Sequence, residues 1–154
     1  MNSRFNSAEL ALSSKARTVC TVFNLRKAAR AVSQFYDNAL QNSGLRNTQF
    51  SLLIAISSYG PLTVNDLAEN MVMDQTTVSR NVSILRKEGY IEIMPGKDMR
   101  TRALSITAKG QAVLKAALPL WNTAQAHMIK KLGNKGMSAL LEGLQMATNV
   151  AKQG

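Results

Sequence analysis

Apolar residues recur three or four positions apart over most of the chain, which is the spacing of one face of an amphipathic helix. This spacing predicts six helices, at residues 15–42, 47–58, 63–71, 74–88, 107–132 and 135–151. Turn and capping residues separate several of them, among them Gly60-Pro61, Gly89 and Gly133-Asn134. Pro119 lies inside the fifth helix, where the loss of one backbone hydrogen bond predicts a kink.

The spacing changes after Gly89. Residues 90–94 alternate as a strand does, residues 95–98 are turn residues, and residues 102–106 read as the returning strand. We expect a β-hairpin with a charged tip. The predicted fold class is therefore mainly α with a small β-hairpin (α+β).

The predicted helix at residues 74–88 has two unlike faces. At about 100° per residue, Val78, Val82 and Leu85 fall within roughly 60° of one another and form an apolar stripe. The opposite side carries hydroxyls and cations without an acid: Thr76, Arg80, Ser83 and Lys87. Such a face suits a DNA groove, because hydroxyls and arginine can bond base edges and cations can meet phosphates. A solvated surface is the alternative for an isolated helix, but the order short helix, turn, helix and basic hairpin favours a winged helix-turn-helix.

The net charge of +10, from 19 basic and 9 acidic residues, favours a polyanionic partner, nucleic acid first and an anionic membrane second. Residues 61–110 hold seven basic and six acidic residues, so the placement of the charges matters more than their sum. No apolar run approaches the roughly 18 residues of a membrane span, and residues 1–15 lack the apolar stretch of a secretory signal. We therefore expect a cytoplasmic protein with no membrane partner.

The segment LAENMVMDQTTVSRNVSILRKEGYIEIMPGKDMRTRALSITAKG resembles the DNA-binding lobe of the MarR family of bacterial transcription regulators. The similarity includes a second helix that ends in Lys-Glu-Gly, a hairpin with Asp-x-Arg, and a closing Leu-x-x-Thr-x-x-Gly. Helices on either side extend the similarity over nearly the whole chain. The resemblance implies a winged helix-turn-helix lobe at residues 46–106 and a helical dimerisation region formed by residues 1–45 and 107–154. It also implies a ligand-responsive homodimeric repressor.

The resemblance further implies which residues contact double-stranded DNA. On the recognition helix they are Gln75, Thr76, Thr77, Ser79, Arg80 and Ser83, to which the outward cation Lys87 is added. On the hairpin, or wing, they are Lys97, Asp98, Arg100 and Arg102, with Asp98 orienting Arg100 at the minor groove. One departure is Val72, where the family's turn often has glycine. Because a β-branched residue disfavours positive φ, we expect a turn that either avoids that conformation or is strained.

A homodimer follows from the geometry of DNA reading. One recognition helix reads only a few base pairs, whereas two, related by a two-fold axis and about 34 Å apart, read a pseudo-palindrome. In the resembled family the terminal helices build the dimer interface. The candidate interface residues are Trp121, Leu140, Leu141 and Leu144. Ordinary packing within one chain explains each of them equally well.

Many members of the resembled family bind small aromatic effectors between the dimerisation helices and the DNA-binding lobe. The residues that could line such a pocket here are Phe35, Tyr36, Phe50 and Trp121. Core packing is again an equal alternative, and no particular ligand is predicted.

Cys20 is a candidate redox sensor, since some relatives use a cysteine of the first helix. The chain has no second cysteine to resolve a sulfenic acid, so a small buried residue is the favoured interpretation. With His127 as the single histidine, a zinc site lacks ligands, and no metal or other cofactor is expected. No catalytic motif is present, so an enzyme is not predicted. Two rivals to a DNA-binding repressor stay open: a redox-sensing regulator on the same fold, and a winged-helix protein-interaction module that does not bind DNA.

Overall fold

The computed structural model describes residues 18–96 and 101–153. Within these ranges the elements are, in chain order, α1 Thr21–Leu40, a 3-10 turn Gln41–Ser43, α2 Asn47–Tyr59, α3 Val64–Met71, α4 Gln75–Lys87, β1 Ile91–Pro95, β2 Arg102–Ile106 and α5 Ala108–Lys152. The predicted mainly α fold with a small β-hairpin is confirmed. Along the described ranges, no helix reaches the length and apolar character of a membrane span.

The structure differs from the sequence-based expectation at the start of the first helix and at Pro119. The helix predicted at residues 15–42 is interrupted at Cys20, whose backbone is extended, and the Asn24 amide holds the break by donating to the Cys20 carbonyl oxygen at 2.9 Å. At the other end of the chain, the break predicted at Gly133 is confirmed: its φ of 72° and ψ of 160° are not helical. Pro119, where a kink was expected, keeps helical backbone angles, so the proline removes one hydrogen bond without breaking α5.

The hydrophobic core lies between α2, α3, α4 and the hairpin. Its largest fully buried side chains come from every one of these elements and from the end of α1: Leu40, Leu52, Leu53, Ile56, Leu67, Val78, Leu85 and Leu104. Leu114 and Ala117 of α5 close it from the other side. The core therefore crosses both of the proposed domain boundaries, and the division at residues 45–46 and 106–107 stays a prediction.

The hairpin is fixed to this core by its register. Ile91 faces Ile106, Ile93 faces Leu104 and Pro95 faces Arg102 across the antiparallel pair. Leu62, in the segment before α3, exchanges two backbone hydrogen bonds with Leu104, of 3.3 and 2.6 Å. The base of the wing is thus bonded to the helix-turn-helix that precedes it.

Val72, in the turn between α3 and α4, adopts the left-handed conformation, with φ of 51° and ψ of 46°. Of the two outcomes expected for this turn, the structure has the strained one. A backbone hydrogen bond closes this turn: the N–H of Met73, the residue after Val72, donates to the Ala68 carbonyl oxygen at 2.9 Å. The Val72 side chain is 59% exposed, so little packing offsets the strain of a β-branched residue at positive φ.

We predict that Val72→Gly stabilises the protein. The left-handed conformation costs an L-residue about 1–2 kcal/mol, and the larger backbone entropy of unfolded glycine offsets about half of the relief. The net gain expected is about 0.5–1 kcal/mol, or roughly 1–4 °C in Tm for a chain of this size. Urea unfolding at fixed protein concentration measures it.

Val72→Ala is the matched control, because alanine keeps the Cβ that opposes positive φ and should gain less than glycine. A Val72→Gly variant no more stable than Val72→Ala would contradict the strain assigned to this turn.

Candidate nucleic-acid interface

The position of α4 is set by its apolar stripe. Val78, Val82 and Leu85 are buried in the core, as their spacing predicted. The residues opposite them, Thr76, Arg80, Ser83 and Lys87, are all exposed. The helix therefore offers an acid-free face of hydroxyls and cations to the solvent. That these residues contact DNA stays a prediction.

The start of α4 is held by its N-cap. The Asp74 carboxylate accepts from the Thr77 N–H at 2.8 Å and from the Thr77 hydroxyl at 2.6 Å. These bonds from Thr77 hold the pKa of Asp74 below its ordinary value, so the cap stays ionised at neutral pH. The Thr77 hydroxyl proton is thus committed to the cap, and the Gln75 amide is similarly engaged, donating to Asn65 of α3 at 2.8 Å. Of the predicted contact residues, these two support the helix from within the chain, whereas Ser79 is exposed beside Arg80.

The preceding helix is capped in the same way. Thr63 and Asp66 form the capping box that the sequence indicated: the Asp66 N–H donates to the Thr63 hydroxyl oxygen at 3.1 Å, and the Thr63 N–H donates back to the Asp66 carboxylate at 2.9 Å. The hydrogen bonds from Thr63 lower the pKa of Asp66. Both helices of the motif therefore begin at ionised carboxylates, which also interact favourably with the helix dipole.

A close contact ties the end of α4 to α5. The Thr107 hydroxyl donates to the Gly89 carbonyl at 2.7 Å and accepts from the Gly110 N–H at 3.0 Å. A Cβ at Gly110 would lie 2.0 Å from the carbonyl oxygen of Tyr90, so only glycine fits there. The Thr-x-x-Gly spacing in the sequence thus has a physical cause, because it lets α5 begin directly against the residue that follows the recognition helix.

The wing is described only at its base. Lys97, Asp98 and Arg100 lie outside the described residues, so their predicted roles are not addressed by the structure. Arg102 is exposed and lines a hollow of about 310 Å³ between α4 and the hairpin. Arg86, in the last turn of α4, lines the same hollow. Arg86 was not predicted from the sequence, because it lies neither opposite the buried stripe nor among the contact residues that the family resemblance implies.

Two of the four predicted pocket aromatics meet in one cavity. The rings of Phe50 and Trp121 stack with centroids 6.2 Å apart, at an interplanar angle of 23°. They line a cavity of about 420 Å³ between α2, α3 and α5. The rest of the lining is apolar or neutral and polar: Ser51, Ile54, Ala55, Ser58, Tyr59, Asn70, Met71 and Leu118.

The other two aromatics, Phe35 and Tyr36, do not reach this cavity, which corrects the predicted grouping. Tyr36 is buried against α5, where its hydroxyl donates to the Gln125 side-chain oxygen, and burial raises the pKa of its phenol. Phe35 packs on His127 at 5.6 Å and lines a separate hollow of about 290 Å³. The separation arises because these residues of α1 pack on α5 beyond Trp121, away from α2.

Comparisons with known proteins agree with this arrangement. The family model described as MarR family matches residues 45–100. The transcriptional regulator MosR of M. tuberculosis, solved in complex with DNA, is 36% identical, with a TM-score of 0.74 over 86% of this chain and 98% of that one. The chain belongs to the MarR family.

Two other proteins are also similar to this chain. A probable transcriptional regulator from Pseudomonas aeruginosa is 26% identical, with a TM-score of 0.76 over 84% of this chain and 98% of that one. An uncharacterized HTH-type transcriptional regulator of Bacillus cereus is 38% identical over 87 residues, which are 56% of this chain. The match spans only 58% of that curated relative's length.

Within this MarR-family chain, Cys20 is the N-cap of α1 and is half-buried, whereas a buried residue was expected. The Cys20 carbonyl oxygen accepts from the Asn24 N–H at 3.1 Å and from the Asn24 side-chain amide at 2.9 Å. Across the described residues, no three side chains of His, Cys, Asp or Glu come together as a metal site would require.

Proposed function

We propose that the chain is a sequence-specific, double-stranded-DNA-binding transcription regulator that acts as a homodimer, with α4 in the major groove. The single observation that carries the proposal is the exposed face of α4, where Thr76, Arg80 and Ser83 stand with Lys87 and without an acid. Arginine bonds guanine edges through two parallel hydrogen bonds, and hydroxyls bond several base edges. MosR, which shares 36% of its residues with this chain, was solved with DNA, and this supports the proposal.

The homodimer is supported by apolar side chains that the single chain leaves in solvent. One group lies at and after the start of α1: Val19, Val22, Phe23, Leu25 and Val32. A second lies on α5 after Gly133: Leu140, Leu141 and Leu144. Burying a side chain of this size contributes about 1.5–3 kcal/mol, so covering both groups with a second copy would offset the entropy of association. Trp121, the fourth interface candidate, packs on Phe50 of its own chain, so the proposed interface does not include it.

Two copies would present two α4 helices, which is why we infer a pseudo-palindromic operator with half-sites about one helical turn apart. Occupancy of such a site by a compact dimer blocks other proteins from the same DNA. We therefore propose a repressor.

The cavity beside Trp121 is the proposed effector site. Its stacked rings and neutral hydroxyl and amide groups suit a small, uncharged aromatic molecule. Asn70 and Met71, the last residues of α3, line the cavity and directly precede the strained Val72. A ligand that shifts the end of α3 would act on the turn that orients α4, and this would release DNA.

Arg80→Ala should reduce discrimination between operators and other sequences. One bidentate base contact contributes about 1–3 kcal/mol, so we expect roughly 10–100-fold weaker binding to the duplex that the wild type selects from a random pool. Binding to unrelated duplexes should change much less. Lys115→Ala, which removes one exposed cation from α5, is the control; equal losses in the two variants, on all duplexes, would refute base reading by α4 and favour a module that does not read DNA.

Leu144→Glu should dissociate the dimer, because it places a charge at the centre of the apolar face of α5. Met146→Glu is the matched control: Met146 is about 200° away around the helix and is 65% exposed, against 40% for Leu144. Sedimentation at micromolar concentration should give a monomer for the first variant and a dimer for the second. A monomeric wild type would rule out the dimer.

Phenol, as a neutral aromatic probe, should quench the fluorescence of Trp121, the single tryptophan of the chain. The same concentrations should release DNA from the wild type. Ser58→Phe adds a ring to the cavity lining and should weaken both effects, whereas Thr123→Phe on α5, outside that lining, should not. Release of DNA without any change in Trp121 fluorescence would place the effector elsewhere.

A further inference from the structure

The hollow between α4 and the hairpin has a lining unlike that of the aromatic cavity. Two guanidinium groups, of Arg86 and Arg102, share it with Thr101. The remaining lining comes from the outer half of β1, Ile93 to Pro95. Among the described residues, this lining contains two positive charges and no carboxylate.

Strand register places Arg102 on the α4 side of the hairpin. Arg102 pairs with Pro95, and the pairs on the same face are Ile93 with Leu104 and Ile91 with Ile106. Leu104 and Ile91 are buried in the core beneath α4. Successive side chains of a strand point to opposite faces, so Arg102, Leu104 and Ile106 share one face. Arg102 therefore extends this row to the outer end of the hairpin. Glu92, which faces Ser105, belongs to the other face.

Helix geometry places Arg86 on the matching flank of α4. Arg86 follows the buried Leu85 by one residue, about 100° around the helix. It therefore projects neither into the core nor along the outward face of Arg80, but sideways, toward the hairpin. Arg86 and Arg102 are both exposed and line one hollow from separate elements, so an anion in that hollow could be reached by both guanidinium groups.

The shape of DNA identifies that anion. A winged helix-turn-helix places its second helix in the major groove and its wing at the neighbouring minor groove, and one sugar-phosphate strand separates those two grooves. Whatever lies between α4 and the wing must therefore face that strand. We propose that Arg86 and Arg102 form a phosphate clamp on the strand that passes between α4 and the wing. This assignment rests on the proposed DNA binding and adds a site to it.

The clamp fixes register and contributes no base discrimination, because phosphates are alike at every sequence. Each guanidinium presents a planar fork that matches two phosphate oxygens, which an ammonium group does not reproduce. Arg86 and Arg102 would thus set how deeply α4 enters the major groove. Arg80 would select the base sequence.

Salt dependence tests the clamp. Releasing one phosphate contact should reduce the slope of log K against log salt by about 0.9. Arg86→Ala with Arg102→Ala removes two contacts from each of the two copies on the operator, so it should reduce the slope by about 3.6. Affinity at physiological salt should fall by a similar factor on selected and unrelated duplexes. Lys115→Ala paired with Lys130→Ala removes two exposed cations elsewhere and should leave the slope within about 0.5 of the wild type. Thermal unfolding of each variant confirms that it is folded.

Neutral methylphosphonate linkages locate the contact. Replacing one phosphate at a time in the selected duplex should weaken wild-type binding at one or two adjacent linkages per half-site. The double alanine variant should be insensitive at those linkages and still sensitive elsewhere. Arg86→Lys with Arg102→Lys keeps the charges without the forks and should bind between the two. Because the phosphonate scan also works on the wild type, a variant that fails to fold does not remove the test.

The outcomes separate the clamp from the function on which it rests. If the wild type selects no duplex, DNA binding itself is wrong. If the wild type binds DNA but the double alanine variant keeps its slope and its phosphonate pattern, DNA binding stands and the clamp is overturned.

Discussion

Burial of three side chains on one face of α4 is the constraint from which the rest of the proposed interface follows. Val78, Val82 and Leu85 together contribute on the order of 5–9 kcal/mol as an upper estimate, far more than any exposed polar contact. Rotating the helix by one residue would expose part of this stripe. The outward direction of Arg80 is therefore decided by residues that never meet the solvent.

Rotation alone does not place a helix; its two ends must be held as well. Asp74 holds the first turn through Thr77, and the end is held where Thr107 bonds Gly89. Lys109 adds to the second junction by donating to the Glu88 carbonyl at 2.6 Å. The wing leaves the chain after Gly89 and returns at Thr107, and these two residues are bonded to each other. The base of the wing is therefore held next to the end of α4.

The sequence was informative wherever one element decides the outcome by itself. The stripe of α4, the hairpin and the capping box of Thr63 each depend on local spacing and were found from it. The β-branched side chain of Val72 likewise indicated, from the sequence alone, that the turn could be strained. The features that were not predicted depend on how two elements pack together. Arg86 becomes a candidate contact residue only because it lies beside Arg102. Phe35 and Phe50 line different cavities because α1 and α2 contact α5 at different positions along its length. A single sequence does not give the distance between two helices. Contacts between side chains of different helices can therefore be identified only in the folded structure.

Two glycines of α5 illustrate how differently one residue type can constrain a chain. At Gly110 the obstacle to any other residue is a neighbouring backbone atom, whereas at Gly133 an added methyl group would meet nothing within 4 Å and the obstacle is the torsion angle alone. A substitution at Gly110 must damage the junction beside the reading helix. A substitution at Gly133 would redirect the part of α5 that follows it, up to Lys152, and leave α4 unchanged. Mutation can therefore alter the proposed DNA-contacting helix and the proposed dimerisation segment of α5 independently of each other.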